Sequence, residues 1–274
     1  DRLGQPPRHM VSGVPDYVDG KMHAIAAQAG AGPINQDRMW HYCEGIKNWN
    51  PIWPNHGIRI LPGPSSVWLD AKGDRMEAPC MPGFDTLATL KRILQTGDHS
   101  WFILTQKIIE KEFALSGSEQ NPDLTDGGWR EVLAARLGKG ATAAVEMFKD
   151  KGEDFVVADD LTQLVAGMNR LTPDHRLDPE HLRRQIAARD GQLANPFAKD
   201  AQITAIRGAR AYRGDKLIRT AKPHAILDAR NGPLIAVRLN ILTRKSLGGL
   251  HTDLQGRVLA PDGTVLPPAV PAHR

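Results

Sequence analysis

The chain has 274 residues, of which 41% are hydrophobic and 24% are charged, and this ordinary globular composition excludes wholesale disorder. Its two cysteines are too few for a disulfide framework and favour a reducing, cytoplasmic environment. Its apolar runs are all much shorter than the ~20 residues of a membrane-spanning helix. The 35 basic and 31 acidic residues give a net charge of +4 and are dispersed, so the charge balance does not indicate nucleic-acid binding.

The first 84 residues are rich in proline, glycine and tryptophan and contain few patterns of helical length. One helix is predicted over residues 21–29, with Asp19 as its N-cap and a glycine at its C-terminal end. Short strands are predicted over residues 57–61 and 66–70, and the second is followed by turn-forming residues.

Residues 85–222 have a helical period instead. Apolar residues at positions i, i+3 and i+4 predict helices over residues 86–94, 101–115, 129–137 and 141–148. A short strand is predicted over residues 155–158. Two further helices are predicted to begin at aspartate caps, the first at Asp159 or Asp160 and the second at Asp178, where a proline follows at the first helical position.

From about residue 223 the hydrophobic period changes to two, which is typical of strands. A strand is predicted over residues 233–239, and shorter ones over residues 257–259 and 264–266 around an Asp-Gly turn. The sequence contains no internal repeat and no low-complexity tract.

Several motifs that define a site from sequence are absent. The two cysteines are far apart and the histidines lack the HExxH spacing, so no metal site is predicted. The sequence has no G-x-S-x-G elbow and no Walker A loop. It also has no G-x-G-x-x-G turn, so no self-contained dinucleotide site can be identified.

A glycine pair, Gly248 and Gly249, follows the predicted strand and a short basic segment. Without a Cβ, such a backbone can approach a flat or charged ligand closely, although a bulge or turn between strands has the same pattern. Just before the pair, Arg244 and Lys245 can clamp a carboxylate or phosphate and stabilise developing negative charge. The alternative is that these two cations lie in a solvated loop.

The segment from residue 39 to residue 44 concentrates chemically active side chains. His41 and Tyr42 can transfer protons, Glu44 adds a carboxylate, and Trp40 can line an apolar substrate. The alternative, which aromatic residues generally favour, is that Trp40 and Tyr42 simply pack into a core.

Three late segments, residues 231–239, 246–253 and 256–263, contain motifs that resemble those of a known family in their order and spacing. Together with residues 17–31 and 67–76, they resemble the FAD-dependent fumarate reductase / 3-ketosteroid dehydrogenase superfamily. Within it, the sequence is most similar to bacterial FAD-binding dehydrogenases that resemble ketosteroid dehydrogenases.

This resemblance implies an α+β (α/β) fold in which partial FAD-binding strands flank a mainly helical cap domain. Residues 1–84 and 223–274 would belong to the FAD-binding domain, and residues 85–222 would form the substrate-binding cap. FAD would be the cofactor, and hydride would pass between a substrate carbon and the flavin. The expected partner is a small, steroid-like molecule rather than nucleic acid, and the oligomeric state stays open.

The resemblance and the residue chemistry together assign three sets of site residues and no metal ligands. The catalytic set is Arg244, Lys245 and Tyr42; the cofactor-binding set is Gly248, Gly249, Asp19 and Gly20; the substrate-binding set is Trp40, His41, Glu44 and Arg238.

The sequence also departs from the family pattern. The N-terminal dinucleotide fingerprint and the flavin-holding segment expected near Pro267 are absent, so an internal fragment is expected. Leu234 and Ile235 stand where the family has a tyrosine. The alternative function is therefore a catalytically inactive, truncated remnant that does not hold FAD on its own and exposes apolar surface.

Overall fold

The computed structural model describes residues 7–116, 129–130, 133, 138, 140–174 and 176–267. Its strands are β1 (Val11–Ser12), β2 (Pro33–Ile34), β3 (Met39–Lys47), β4 (Gly57–Leu61), β5 (Val67–Asp70), β6 (His99–Thr105), β7 (Ala114–Ser116), β8 (Phe155–Ala158), β9 (Leu234–Ser246) and β10 (Gly249–Leu250). Its helices are α1 (Lys21–Gln28), α2 (Thr86–Thr96), α3 (Gln106–Glu112), α4 (Ala143–Lys151), α5 (Leu161–Leu171), α6 (Pro179–Gly191), α7 (Ala201–Ala211) and α8 (Arg213–Ile218). This mixture confirms the predicted α+β class.

The long strand β9 organises one large sheet in the order β5-β6-β9-β3-β4-β7. The first part of β9 pairs antiparallel with β6 and β8, and its second part pairs antiparallel with β3 and parallel with β1. A separate two-stranded sheet joins β10 to β2. The strands of the large sheet come from all three predicted intervals of the chain, and the proposed domain boundaries stay a prediction.

Strand β1 closes the sheet on itself beside the second half of β9. Ser12 forms a parallel bridge with His56 at the start of β4, so β1, β9, β3 and β4 make a closed ring of strands. A Cβ at Gly45 would lie 2.7 Å from the Leu242 Cβ, and one at Gly57 would clash with Val11. Glycine is therefore required at both positions, because Val11 and Leu242 already fill the interior of the ring.

Most predicted elements are present. The predicted strands over residues 57–61, 66–70 and 155–158 are confirmed as β4, β5 and β8. The side chains of Asp160 and Asp178 accept hydrogen bonds from the first turns of α5 and α6, which confirms both predicted starts. The predicted helix over residues 129–137 lies mostly outside the described residues.

The prediction of a single helix over residues 101–115 is wrong. This stretch contains most of β6, all seven residues of which are buried, followed by α3 and β7. Because both faces of β6 are covered, apolar residues occupy nearly every position, and the alternation that identifies a strand is absent.

Within the described residues, no helix combines the length and the apolar character needed to cross a bilayer.

Candidate functional site

The end of the β3–β9 pairing brings the predicted site residues of two distant segments together. Met39 lies opposite Ser246 and Trp40 opposite Lys245, but His41 already pairs with Thr243. Arg244 is therefore an extra, unpaired residue in a bulge, and such a bulge redirects the side chain that it carries. The structure thus places Trp40 beside the basic segment, and the catalytic and substrate-binding roles of these residues stay a prediction.

The two cations of this segment form no ion pair with a described acidic residue. Arg244 is half-buried, and its Cδ would lie 2.6 Å from a Cβ at Gly13, so the side chain runs across that glycine. Lys245 is exposed. Neither side chain forms an ion pair or a hydrogen bond within the described part of the chain. Both charges are therefore available to an anionic group.

The two glycines differ in what surrounds them. A Cβ at Gly248 would lie 2.5 Å from the carbonyl oxygen of Asn35, so this glycine packs against the protein's own backbone. Around Gly249, nothing lies within 4 Å of the corresponding position. The close approach of the Asn35 backbone therefore requires glycine at position 248 but not at position 249, and the cofactor-binding role of both glycines stays a prediction.

Trp40 and Tyr42 lie on one face of β3, and their ring centroids are 6.4 Å apart. The prediction that Trp40 packs into a core is wrong, because it is 49% exposed, and Tyr42 is only half-buried. The Arg59 guanidinium stacks 3.8 Å above the Tyr42 ring. Trp40 therefore leaves apolar surface exposed beside the basic segment.

His41 and Cys43 point to the other face of β3, towards the first turn of α2. The His41 Nε2 and the Cys43 Sγ lie 3.4 and 3.6 Å from the carbonyl oxygen of Thr86. Burial raises the pKa of the Cys43 thiol, which is therefore a packed, inert group. Phe84 and Leu87, which lie close to Thr86 in sequence, are exposed.

Glu44 is buried next to Arg59, a residue that the sequence reasoning did not identify. The Glu44 Oε2 and the Arg59 Nε are 3.9 Å apart, and neither atom has a hydrogen-bond partner among the described residues. Burial raises the pKa of the Glu44 carboxyl, and the Arg59 guanidinium partly offsets this. The signal for Arg59 was a single charge within the otherwise apolar strand β4.

The predicted substrate residue Arg238 lies elsewhere on β9 and forms hydrogen bonds within the protein. Its Nε donates to Asp154 Oδ1 at 2.7 Å, and its Nη1 donates to the Leu171 carbonyl at 2.9 Å. Asp154 is buried and also accepts a hydrogen bond from the Lys47 backbone. Arg238 therefore ties β9 to β8 and α5, and its contact with substrate stays a prediction.

Asp19 and Gly20 precede α1, which packs against β10. The predicted N-cap is wrong by one residue: Gly20 is the cap, in a left-handed conformation at φ 76°, while Asp19 accepts a hydrogen bond from the Lys21 backbone. Gly20 adopts this conformation without the steric cost that a Cβ would add. Both residues are exposed, and their cofactor-binding role stays a prediction.

The amino-acid sequence matches a known family along nearly all of its length. The family is described as an FAD binding domain, and its profile covers residues 1–267. A KsdD-like steroid dehydrogenase of Mycolicibacterium smegmatis is 58% identical over 96% of this chain and 48% of that protein. A KsdD-like steroid dehydrogenase of Mycobacterium tuberculosis is 56% identical over 97% of this chain and 47% of that protein. The chain thus spans about half the length of these curated relatives.

Two solved structures are similar to this one at low sequence identity. The open conformation of a flavocytochrome c3 fumarate reductase has a TM-score of 0.52 and 12% identity, and the match covers 94% of this chain and 35% of that chain. A 3-ketosteroid delta1-dehydrogenase from Sterolibacterium denitrificans, in complex with 1,4-androstadiene-3,17-dione, has a TM-score of 0.52 and 16% identity, covering 93% and 41%. At these identities the likeness is one of fold.

Proposed function

Because the chain belongs to the FAD binding domain family, we propose that it forms part of an FAD-dependent dehydrogenase that oxidises a carbon–carbon bond of a steroid-like ketone. The observation that carries this proposal is the 58% identity to a KsdD-like steroid dehydrogenase over 96% of the chain. The proposed partner is a small molecule. The division into FAD-binding parts at residues 1–84 and 223–274 and a cap at residues 85–222 belongs to the same proposal, as does a cytoplasmic location.

The residues at the end of the β3–β9 pairing fit part of a flavin site. Gly249 leaves open space where a side chain would stand, so a flat ring can approach the backbone there. Arg244 and Lys245 supply positive charge that no described carboxylate neutralises, which suits an anionic oxygen of the cofactor or substrate. When bound, FAD supplies the flavin ring that accepts the hydride.

The same residues supply the protein's share of the chemistry. Oxidation of a carbon–carbon single bond beside a ketone removes a proton from the carbon next to the ketone and a hydride from the adjoining carbon. Loss of the proton places negative charge on the ketone oxygen, and Arg244 and Lys245 stabilise that charge. Tyr42 lies on the same strand end and moves a proton through its hydroxyl. Arg59 orients Tyr42 by stacking on its ring, and Trp40 provides an apolar wall for the substrate.

An absorbance experiment tests this function directly. The purified chain is incubated with FAD, passed over a gel-filtration column and examined for a visible flavin band. A 3-ketosteroid is then added without oxygen, and we expect the band to bleach as the flavin is reduced. The variant Arg244→Gln/Lys245→Gln should retain less flavin, whereas Lys72→Gln, an exposed lysine elsewhere, should match the unmodified chain.

The second candidate is the truncated remnant that does not hold FAD on its own. It is favoured by α1, which has no buried residue although it carries apolar side chains. An absent flavin band after gel filtration supports this candidate. A retained band that no 3-ketosteroid bleaches contradicts the proposed substrate but not the proposed cofactor.

A further inference from the structure

A second concave region of about 690 Å³ lies away from the candidate site and shares no lining residue with it. It is bounded by α3, by α7 and α8, and by the segment that leads into β9. We call it the basic pocket, because its lining includes five lysine and arginine residues: Lys107, Lys111, Arg210, Lys216 and Lys222. These residues are far apart in sequence, so the fold itself gathers them.

Positive charge in the basic pocket is not balanced by the described lining residues, among which Glu110 is the one carboxylate. The Lys107 Nζ donates to the Asn231 Oδ1 at 2.8 Å, and the Arg210 Nη1 donates to the Thr220 carbonyl at 2.7 Å. Both partners are neutral, so they orient these cations without cancelling their charge. Lys216 and Lys222 have no ion-pair partner among the described residues.

Lys107, Lys216 and Lys222 of the basic pocket are exposed, whereas three half-buried arginines elsewhere each form an ion pair. Arg75 meets Asp200 at 2.6 Å, Arg92 meets Asp70 at 2.7 Å, and Arg238 meets Asp154 at 2.6 Å. With Glu110 as the one carboxylate among the described lining residues, the cations of the basic pocket cost repulsion energy and focus a positive potential. A multiply charged anion in the pocket would offset that cost.

The wall of the basic pocket is held by buried groups. The His224 Nε2 lies 2.8 Å from the Thr105 hydroxyl of β6, and the His224 Nδ1 lies 2.7 Å from the Lys222 carbonyl. Beneath them, the buried Arg189 donates to the His224 carbonyl at 2.8 Å. Burial lowers the pKa of His224, and Arg189 and Lys107 add to this. The neutral imidazole thus fixes the segment that carries Lys222.

We infer that the basic pocket binds a small, multiply charged phosphate compound, such as one that carries a diphosphate group. Lysine and arginine side chains recognise phosphate oxygens through charge-assisted hydrogen bonds, and several cations around one concavity favour more than one negative charge. The pocket volume suits a small molecule. This inference does not depend on the proposed dehydrogenase function, because it concerns different residues.

Calorimetric titration of the full chain with inorganic pyrophosphate tests the inference. We expect saturable binding at constant ionic strength, and weaker binding of sulfate. The variant Lys107→Gln/Lys222→Gln removes two charge-assisted contacts and should weaken pyrophosphate binding about tenfold or more. The matched variant Lys72→Gln/Lys91→Gln removes two exposed lysines outside the pocket and should bind as the unmodified chain does.

Three results would overturn the inference: no saturable heat, equal binding of sulfate and pyrophosphate, or equal weakening by the two double variants. Because Lys107 also bonds to Asn231, its loss could disturb the fold. The single variant Lys216→Gln keeps the inference testable. Because Lys216 is exposed, its substitution should leave the fold intact, and because it lines the pocket, the substitution should still weaken pyrophosphate binding. A short single-stranded DNA that displaces pyrophosphate at lower concentration would assign the pocket to nucleic acid instead.

Discussion

The large sheet and the flank differ in how much apolar surface they bury. By the flank we mean α1 and the small β2–β10 sheet that it packs against. Every residue of β6 is buried, and the neighbouring strands and helices cover both of its faces. On the flank, α1 has no buried residue, and Met22 and Ile25 are 70% and 53% exposed. Within the described residues, the sheet therefore buries its apolar side chains, whereas the flank leaves apolar side chains of α1 exposed.

The candidate site lies where these two regions meet. Trp40 stands at the start of β3, and Gly249 follows the end of β9 in the small β2–β10 sheet. Leu247, two residues before Gly249, is exposed. A site at such a junction takes rigid positions from the sheet and open surface from the flank, and this combination suits a ligand held between two parts of a protein.

The largest expected effect comes from the core of the sheet. Phe102 is fully buried and stacks edge-on against Trp68 at a centroid distance of 4.9 Å. Phe102→Ala should lower the free energy of unfolding in urea by about 3–5 kcal/mol, because it removes buried surface and leaves a cavity. The matched variant Phe84→Ala removes an exposed ring and should cost less than about 0.5 kcal/mol. Equal losses would abolish the contrast between buried and open surface.

The next effect separates the two adjacent glycines at the junction. Gly248→Ala places a methyl group against the Asn35 backbone and should lower the free energy of unfolding by about 1–3 kcal/mol. Gly249→Ala meets open space and should leave the stability unchanged. In the flavin-retention experiment, however, Gly249→Ala should reduce the retained band. If Gly249→Ala also retains flavin fully, this glycine does not face the cofactor.

Local signals predicted much of the fold. Asp160 and Asp178 were identifiable because an N-cap depends on its immediate neighbours. The strand β6 was not, because burial on both faces removes the period that distinguishes a strand from a helix. Long elements with a clear period or a cap were thus predicted, and the fully buried centre of the sheet was not.

The residues of the candidate site were selected from the sequence and their roles stay a prediction, whereas their geometry could not be predicted. Arg244 and Trp40 were selected for their chemistry, yet their proximity depends on the register between β3 and β9, which no local pattern specifies. The roles of Gly248 and Gly249 look identical in sequence and differ only through the Asn35 backbone beside one of them. Arg59 was missed because its partners Tyr42 and Glu44 lie on another strand.

A smaller effect is expected in the pH dependence of stability, through the buried Glu44. Its folded-state pKa is raised by burial, so it contributes stability that is present below its ordinary pKa of 4.5 and is lost as the pH rises through the folded value. Glu44→Gln removes this contribution and should flatten the decline in the free energy of unfolding across that range. Glu77→Gln, at an exposed carboxylate, should keep the original profile. An unchanged profile in Glu44→Gln would mean that the folded-state pKa of Glu44 is not raised.

The smallest effect on folding is expected on the flank itself. Met22→Gln/Ile25→Gln changes the exposed face of α1, so the free energy of unfolding should stay within about 0.5 kcal/mol of the original. If this face associates with a second copy of the chain, sedimentation should show less self-association in the double variant.

The control for the flank is Phe197→Gln/Leu217→Gln, which removes two exposed apolar side chains elsewhere. If both double variants reduce self-association equally, the effect reflects general surface hydrophobicity. If only the α1 variant reduces self-association, the exposed face of α1 is the surface through which two copies of the chain associate. A monodisperse monomer in every case would mean that exposed apolar residues on α1 are tolerated without any partner, and the contrast with the sheet would then concern burial alone.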